Sequence, residues 1–153
     1  MLGKDTAMTN KERKAIPVKE DLFTLPSAED KGHLIGAKCR SCGEVFFGRI
    51  SFCRYCQGVD MEQIRLSDRG KLYNYTVLRY KPPAPWKGVA DPYQPFAAGF
   101  IEMPEGVRIL SIITDCDVDK LTSQMNMEVV VRKYYEDEAG NDVYTYMFRP
   151  VTK

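Results

Sequence analysis

Four cysteines, arranged as two C-x-x-C pairs that flank residues 43–52, constrain this chain most strongly. The pairs are Cys39 with Cys42 and Cys53 with Cys56. A C-x-x-C turn directs two thiolates toward one point, and two such turns complete the tetrahedral shell of a zinc ion, whose Zn–S bonds measure about 2.3 Å. Residues 44–48 read as a short strand, so the spacing predicts a rubredoxin-like zinc ribbon. Four sulfur ligands leave no open coordination position, which predicts a structural site.

The glycines near the two pairs support this interpretation. Gly43 follows the first pair and Gly58 lies two residues beyond the second. Glycine tolerates positive φ, so it lets backbone N–H groups turn toward the sulfur atoms.

Three alternatives to zinc remain open for the cysteines. Iron is also bound by four thiolates. Two disulfides would need an oxidising compartment, whereas the chain has no secretory signal and we expect it to be cytoplasmic. A redox-active C-x-x-C motif would need only one pair. The sequence also lacks an apolar run near the ~20 residues of a membrane span, and either Met1 or Met8 fits as the natural start.

The charge of the chain is balanced overall but uneven along its length. The formal net charge is +1 for 153 residues, which argues against a dedicated nucleic-acid binder. Residues 34–90 contain ten Lys and Arg against four Asp and Glu, whereas residues 91–153 contain six against eleven. The basic segment could face a phosphorylated small molecule, and an ordinary solvated surface explains it equally well.

The remaining pattern predicts a mainly β protein. Short helices are expected over residues 11–15 and 18–25, ended by Pro17 and Pro26. Five strands are expected after Gly70, at residues 72–80, 96–103, 107–114, 127–134 and 143–148, with a short helix over 117–123. This order matches a five-stranded OB-fold barrel, and an SH3-like barrel is the alternative. The predicted domains are an N-terminal helical segment (1–33), a zinc ribbon (34–60) and an OB-fold barrel (61–153).

One family shares this order of ribbon and barrel. The matching residues are Leu34, Lys38-Cys39-x-x-Cys42-Gly43, Phe46-Phe47-x-Arg49, Cys53-x-x-Cys56, Gly70-Lys71-Leu72-Tyr73-x-Tyr75-Thr76-Val77, Pro92-Tyr93, Phe96-Ala97-Ala98-Gly99-Phe100, Glu105-Gly106-Val107-Arg108-Ile109-Leu110 and Met127-x-Val129. The chain resembles, over about residues 34–131, the zinc-ribbon/OB-fold proteins associated with acyl-CoA enzymes, often paired with thiolases. The family usually has proline before the arginine that follows the first pair, and here Gly48 stands there.

The resemblance implies an accessory subunit without catalytic residues of its own. It would dock on a thiolase-like catalytic subunit and help hold or admit CoA or acyl-CoA. The reaction implied is thiolytic cleavage of a 3-oxoacyl-CoA, in the degradation of aromatic or steroid-derived acids.

The residues themselves offer no catalytic set, so we expect no acyl transfer by the chain alone. The only histidine, His33, reads as a turn residue or a neighbour of the ribbon. Cys116 has acidic neighbours, which disfavour a thiolate nucleophile. Asp115, Asp117 and Asp119 lack the glycine and glutamate positions of an EF-hand and read instead as a helix cap.

The proline-rich segment 81–95 is the candidate contact region. A loop of this length in a small domain is usually functional. Trp86 beside Lys87 could stack on an adenine or anchor in a partner's pocket, or it could plug the barrel. The further candidates for phosphate or partner contact are Arg79, Lys81, Arg49 and Arg54.

Two other functions compete with the accessory subunit. Zinc ribbons and OB-folds also bind single-stranded nucleic acid, and Tyr73, Tyr75 and Phe100 could stack on bases. A third possibility is an electron carrier with iron in the four-cysteine site.

Overall fold

Nine strands and one 3₁₀ turn make up the regular structure of the computed structural model, which describes residues 14–83 and 92–151. The strands are β1 (Ala15–Pro17), β2 (Ile35–Cys39), β3 (Val45–Phe47), β4 (Met61–Arg65), β5 (Arg69–Leu78), β6 (Phe96–Glu102), β7 (Arg108–Ile113), β8 (Asn126–Glu136) and β9 (Asp142–Pro150). They form two sheets. The first is an antiparallel sheet of order β3-β2-β4 that holds the cysteine segment and reaches Arg65, beyond the boundary expected at residue 60.

The second sheet closes into a barrel of five strands in the order β5-β6-β7-β9-β8, with β8 pairing back on β5. β7 and β9 are parallel neighbours, whereas the other barrel pairs are antiparallel. Strand β1 adds to β9 in parallel. This connectivity is that of the five-stranded Greek-key OB-fold, so the predicted fold class is confirmed.

The barrel core follows the period-two alternation of its strands. Ala97 and Ile101 of β6 and Ile109 and Ile113 of β7 point inward and are fully buried. The other members of the core are Phe23, Leu34, Leu66, Leu72, Met103, Leu121, Met127, Val129 and Phe148. Because Leu34 and Leu66 flank the ribbon sheet, the ribbon is packed onto the barrel by the same core.

The N-terminal helices are a wrong prediction where the structure describes that segment. Ala15 belongs to β1, and residues 18–25 contain no helix. Asp21 has a left-handed φ of 71°, which interrupts a right-handed helix. The carbonyls of Asp21 and Leu22 accept the N–H groups of Arg49 and Ile35, both at 2.9 Å. Backbone groups that a helix would pair internally therefore pair with the ribbon. Residues 11–13 lie outside the described residues.

The helix expected over 117–123 is reduced to one 3₁₀ turn, Val118–Lys120. The Asp117 side chain accepts the N–H of Asp119 at 3.0 Å, so the predicted acidic cap is present.

Tyr146 of β9 connects the ribbon, the N-terminal segment and the barrel. Its ring meets Phe23 and Phe47 edge to face, with centroids 5.8 and 5.4 Å away. Its hydroxyl donates to the carbonyl of Leu110 at 3.0 Å, where β7 and β9 have few backbone pairs. Burial raises the pKa of Tyr146 to about 12, so the phenol remains a donor at neutral pH.

We expect Tyr146→Ala to lower the free energy of unfolding by about 2 kcal/mol or more, because it removes both ring contacts from a half-buried site. Tyr146→Phe keeps the ring and loses only the hydrogen bond, which costs about 1 kcal/mol. Denaturant unfolding followed by circular dichroism measures both. Equal losses for the two variants would show that the ring contacts do not hold the junction.

Candidate metal centre and exposed surfaces

The two cysteine pairs lie in turns with the same hydrogen-bond pattern. In the first turn the N–H of Gly43 donates to the carbonyl of Cys39 at 2.8 Å, and in the second the N–H of Gln57 donates to that of Cys53 at 2.9 Å. Cys39 is also the last residue of β2, so the ribbon sheet fixes the position of the first turn. The repeated pattern gives the two turns the same local shape.

All four sulfur atoms lie within 4.8 Å of one another. The Sγ atoms of Cys39 and Cys56 are 3.6 Å apart, and so are those of Cys42 and Cys53. These distances exceed a disulfide bond of about 2.05 Å. They match the ~3.8 Å edge of a tetrahedron with Zn–S bonds of about 2.3 Å. The four thiols are free and fit a tetrathiolate metal site.

Backbone N–H groups favour the thiolate form of Cys39 and Cys53, whereas hydrogen bonds between the sulfurs and burial raise the pKa of Cys42 and Cys56. The N–H groups of Tyr55 and Cys56 lie 3.3 Å from the Sγ of Cys53. A hydrogen bond from the N–H of Cys42 lowers the pKa of Cys39 to about 6, although burial opposes the shift. Because metals bind thiolate rather than thiol, the turns prepare the site for an ion.

The glycine expectation is confirmed in the first turn and wrong in the second. Gly43 has a φ of 84°, whereas the left-handed residue of the second turn is Gln57, with a φ of 69°. Gly58 serves close packing instead, since a Cβ there would lie 3.3 Å from the Sγ of Cys56. A side chain at this position would crowd the metal site.

Two of the predicted phosphate contacts are held by carboxylates of the chain itself. Arg49 bonds Asp21 at 2.6 Å and Gln63 at 2.8 Å. Arg79 bonds Asp119 at 2.7 Å. Their use as ligand contacts stays a prediction, and it would require these exposed pairs to open.

Of the other four residues predicted to contact phosphate or a partner, two lie within the described residues and two lie outside them. Arg54 and Lys81 are exposed, and neither side chain forms an ion pair within residues 14–83 and 92–151. Trp86 and Lys87 lie outside the described residues. The contact predicted for the proline-rich segment therefore rests on the sequence.

The three aspartates considered for calcium have protein partners. Asp115 accepts two hydrogen bonds from Arg132, both at 3.0 Å, and these hold the pKa of Asp115 below its usual value. Asp117 caps the 3₁₀ turn and Asp119 pairs with Arg79. The cap interpretation is confirmed for Asp117.

The described structure disfavours Cys116 as a nucleophile and places His33 in a turn. Burial, reinforced by the charges of Asp115 and Asp117, raises the pKa of the Cys116 thiol. His33 contacts Asp30 at 2.6 Å and Thr24 at 3.3 Å through its Nδ1 atom, so it fastens a turn.

Among the exposed apolar side chains of the described residues are two groups, of which sequence reasoning had named only Phe100, as a residue that could stack on bases. One surrounds the second cysteine turn and comprises Phe52, Tyr55 and Val59. The other lies on the outer face of β6 and β7, where Phe100 and Leu110 are register partners. Apolar residues next to a C-x-x-C pair could have indicated an exposed surface in the sequence, because a closed four-sulfur site offers their side chains no apolar core in which to be buried.

No helix in the described part of the chain is long and apolar enough to cross a bilayer.

Family models match most of the chain. The model described as the ChsH2 rubredoxin-like zinc ribbon domain matches residues 26–62. The model described as the ChsH2 C-terminal OB-fold domain matches residues 63–132. The two matches cover the ribbon sheet and most of the barrel.

Curated relatives and a solved structure agree with these models. A DUF35 domain-containing scaffold protein of Methanocaldococcus jannaschii is 34% identical over 77% of this chain and 82% of its own length. The benzoylsuccinyl-CoA thiolase subunit BbsA of Thauera aromatica is 28% identical over 86% of this chain and 85% of its own. The structure titled Ltp2-ChsH2(DUF35) aldolase superposes with a TM-score of 0.60 at 19% identity, covering 77% of this chain and 84% of that chain, and so supports the fold.

Proposed function

Because the chain belongs to the DUF35 family of scaffold proteins, with a zinc ribbon followed by an OB-fold, we propose that it is a non-catalytic accessory subunit of a thiolase-type acyl-CoA complex. The observation that carries this proposal is the similarity to BbsA, a benzoylsuccinyl-CoA thiolase subunit, over 86% of the chain. BbsA is a subunit of a thiolase, and we propose that the complex containing this chain likewise catalyses thiolysis of an acyl-CoA.

In this proposal the metal is a structural zinc ion held by Cys39, Cys42, Cys53 and Cys56. The convergence of four free thiols within 4.8 Å supports this ligand set. The ion would supply folding energy and rigidity to the ribbon, because a four-sulfur shell leaves no position for substrate.

CoA or acyl-CoA would meet this subunit at the interface with its partner. Arg54 and Lys81 are exposed cations that could face its phosphates, and Trp86 with Lys87 adds an aromatic and a further charge. Arg49 and Arg79 would contribute only after leaving Asp21 and Asp119. The acyl chain would be bound by the catalytic subunit.

The nucleic-acid alternative has less support from the barrel surface. Arg108 stacks on Tyr73 at 3.8 Å and pairs with Glu102 at 3.3 Å, so its charge is already compensated. Tyr75 is tied by its hydroxyl to the carbonyl of Leu121 at 2.8 Å. Stacking platforms for single strands combine free aromatic faces with a positively charged groove.

Affinity purification of the tagged chain from its source cell tests the proposal. We expect a thiolase-type protein, identified by peptide mass, to co-purify in a stoichiometric amount. Recovery of the chain with nucleic acid and without such a protein would overturn the proposal.

A further inference from the structure

Three apolar side chains and one arginine project from the second cysteine turn, a surface here called the ribbon tip (Phe52, Arg54, Tyr55 and Val59). Tyr55 is 75% exposed, Val59 80% and Phe52 48%. Scattered exposed apolar residues are ordinary on a protein surface, but a cluster of them is typical of an interaction site. The ribbon tip concentrates three in a span of eight residues, 52–59.

The ribbon tip is held rigidly by backbone bonds on both sides. The N–H of Cys53 donates to the carbonyl of Gly58 at 2.7 Å, which closes the turn that carries Tyr55. The backbone N–H and the guanidinium of Arg40 each bond Asp60 at 3.0 Å, which fastens the chain next to Val59. A surface that is ordered before binding loses little conformational entropy on docking.

The charge of the ribbon tip indicates what it would meet. Arg54 has no carboxylate partner among residues 14–83 and 92–151, whereas nearby Asp60 and Glu62 are both paired with Arg40. An uncompensated arginine beside an exposed tyrosine has the composition of an interface hot spot. A complementary surface would offer an apolar pocket with a carboxylate at its rim.

The outer barrel face has a different character. Leu110 is 57% exposed and Phe100 39%, but Arg108 at its end is already paired with Glu102. The arginine of this face is therefore compensated, whereas Arg54 of the ribbon tip has no carboxylate partner among the described residues.

We infer that the ribbon tip is the element that docks on the thiolase-type catalytic subunit, in an apolar pocket of that subunit rimmed by a carboxylate. This inference rests on the proposed function and adds to it the surface and the chemistry of recognition.

The test uses the thiolase-type subunit identified in the wild-type complex, produced separately and titrated with variants of the full chain. Tyr55→Ser combined with Val59→Ser removes apolar contact, and Arg54→Glu reverses the charge. Leu110→Ser is the matched control, since it removes an exposed apolar side chain elsewhere. Metal content and thermal midpoint are measured for every variant, and Val59→Ser alone serves if the double variant loses metal.

We expect the double variant to raise Kd at least tenfold, and Val59→Ser alone to raise it severalfold. Arg54→Glu should slow association and reduce its salt dependence, because a rim charge acts mainly on the encounter rate. Leu110→Ser should leave Kd within twofold. Unchanged Kd in the ribbon-tip variants with weakening by Leu110→Ser would overturn the inference and leave the proposed function standing. A dimer of the isolated chain that only the ribbon-tip variants abolish would also overturn the inference and leave the proposed function standing. Failure of the wild-type chain to bind would overturn both.

Discussion

Cys53→Ser should abolish stoichiometric metal binding and unfold the ribbon, residues 34–65, while the barrel strands stay paired but lose the core contacts of Leu34. Cys53 is fully buried and its sulfur receives two N–H groups at 3.3 Å, so its replacement removes a ligand from the best-shielded part of the site. In zinc-finger peptides the apparent metal-binding free energy is about 10–16 kcal/mol and is also folding free energy. Few other single changes remove so much stabilisation.

Elemental analysis and amide hydrogen exchange together measure this effect. Exchange should accelerate in β2, β3 and β4 and stay slow in β6 and β8. Cys116→Ser is the control, because Cys116 lies away from the four-sulfur site and should keep both metal and protection. One zinc per chain and wild-type exchange in Cys53→Ser would contradict the assignment. A red native protein would indicate ferric iron in place of zinc.

Gly99→Ala should destabilise the barrel by about 3 kcal/mol, at the upper end of the usual cost of overpacking. Strand β5 contains a register shift between Leu72 and Asn74, opposite β6. A Cβ on Gly99 would collide with the backbone oxygen of Asn74 and lie 2.9 Å from the Cα of Tyr75. Both obstacles are backbone atoms, so a rotamer change cannot relieve the clash and the β5–β6 pairing must distort.

Gly140→Ala separates this steric effect from the ordinary cost of replacing glycine. Gly140 has a φ of 86°, and an added Cβ there would meet nothing within 4 Å. Its replacement should cost about 1–2 kcal/mol from the left-handed conformation alone. Denaturation midpoints of the two variants give the comparison. A Gly99→Ala loss no larger than that of Gly140→Ala would show that β5 and β6 can separate without cost.

The four-cysteine cluster could be predicted from sequence because its geometry is local. Two C-x-x-C turns each fix the direction of two sulfurs, and only their mutual approach depends on the sheet. The barrel strands could also be predicted from sequence. In residues 96–102 and 108–113, inward-facing and outward-facing residues alternate every two positions, and this pattern needs no tertiary information.

The N-terminal segment could not be predicted in the same way. Leu22 and Phe23 suggest one apolar side of a helix, but the backbone carbonyls of Asp21 and Leu22 pair with the distant Arg49 and Ile35. Tertiary hydrogen bonds therefore override a weak local preference. Likewise, the left-handed φ of Gln57 follows from closing the second turn around its sulfurs, and side-chain type gives no sign of it.

Which arginines are free to contact a ligand or a partner protein depends on the ion pairs that the fold creates. This could not be predicted from the sequence. Arg49, Arg54 and Arg79 are equivalent in the sequence as exposed cations. The fold brings Asp21 to Arg49 and Asp119 to Arg79, and it leaves Arg54 without a described partner. Arg54 and Tyr55 are adjacent in the sequence, but only the fold shows that both are exposed and that Arg54 has no carboxylate partner among the described residues.

Co-expression with the cognate thiolase-type subunit, followed by size exclusion and a thiolysis assay on each fraction, tests the central claim most directly. We expect a single peak that contains both chains at micromolar concentration and carries the activity, with little activity in either chain alone. Two separate peaks, with full thiolase activity in the catalytic subunit alone, would contradict the role of this chain as an accessory subunit.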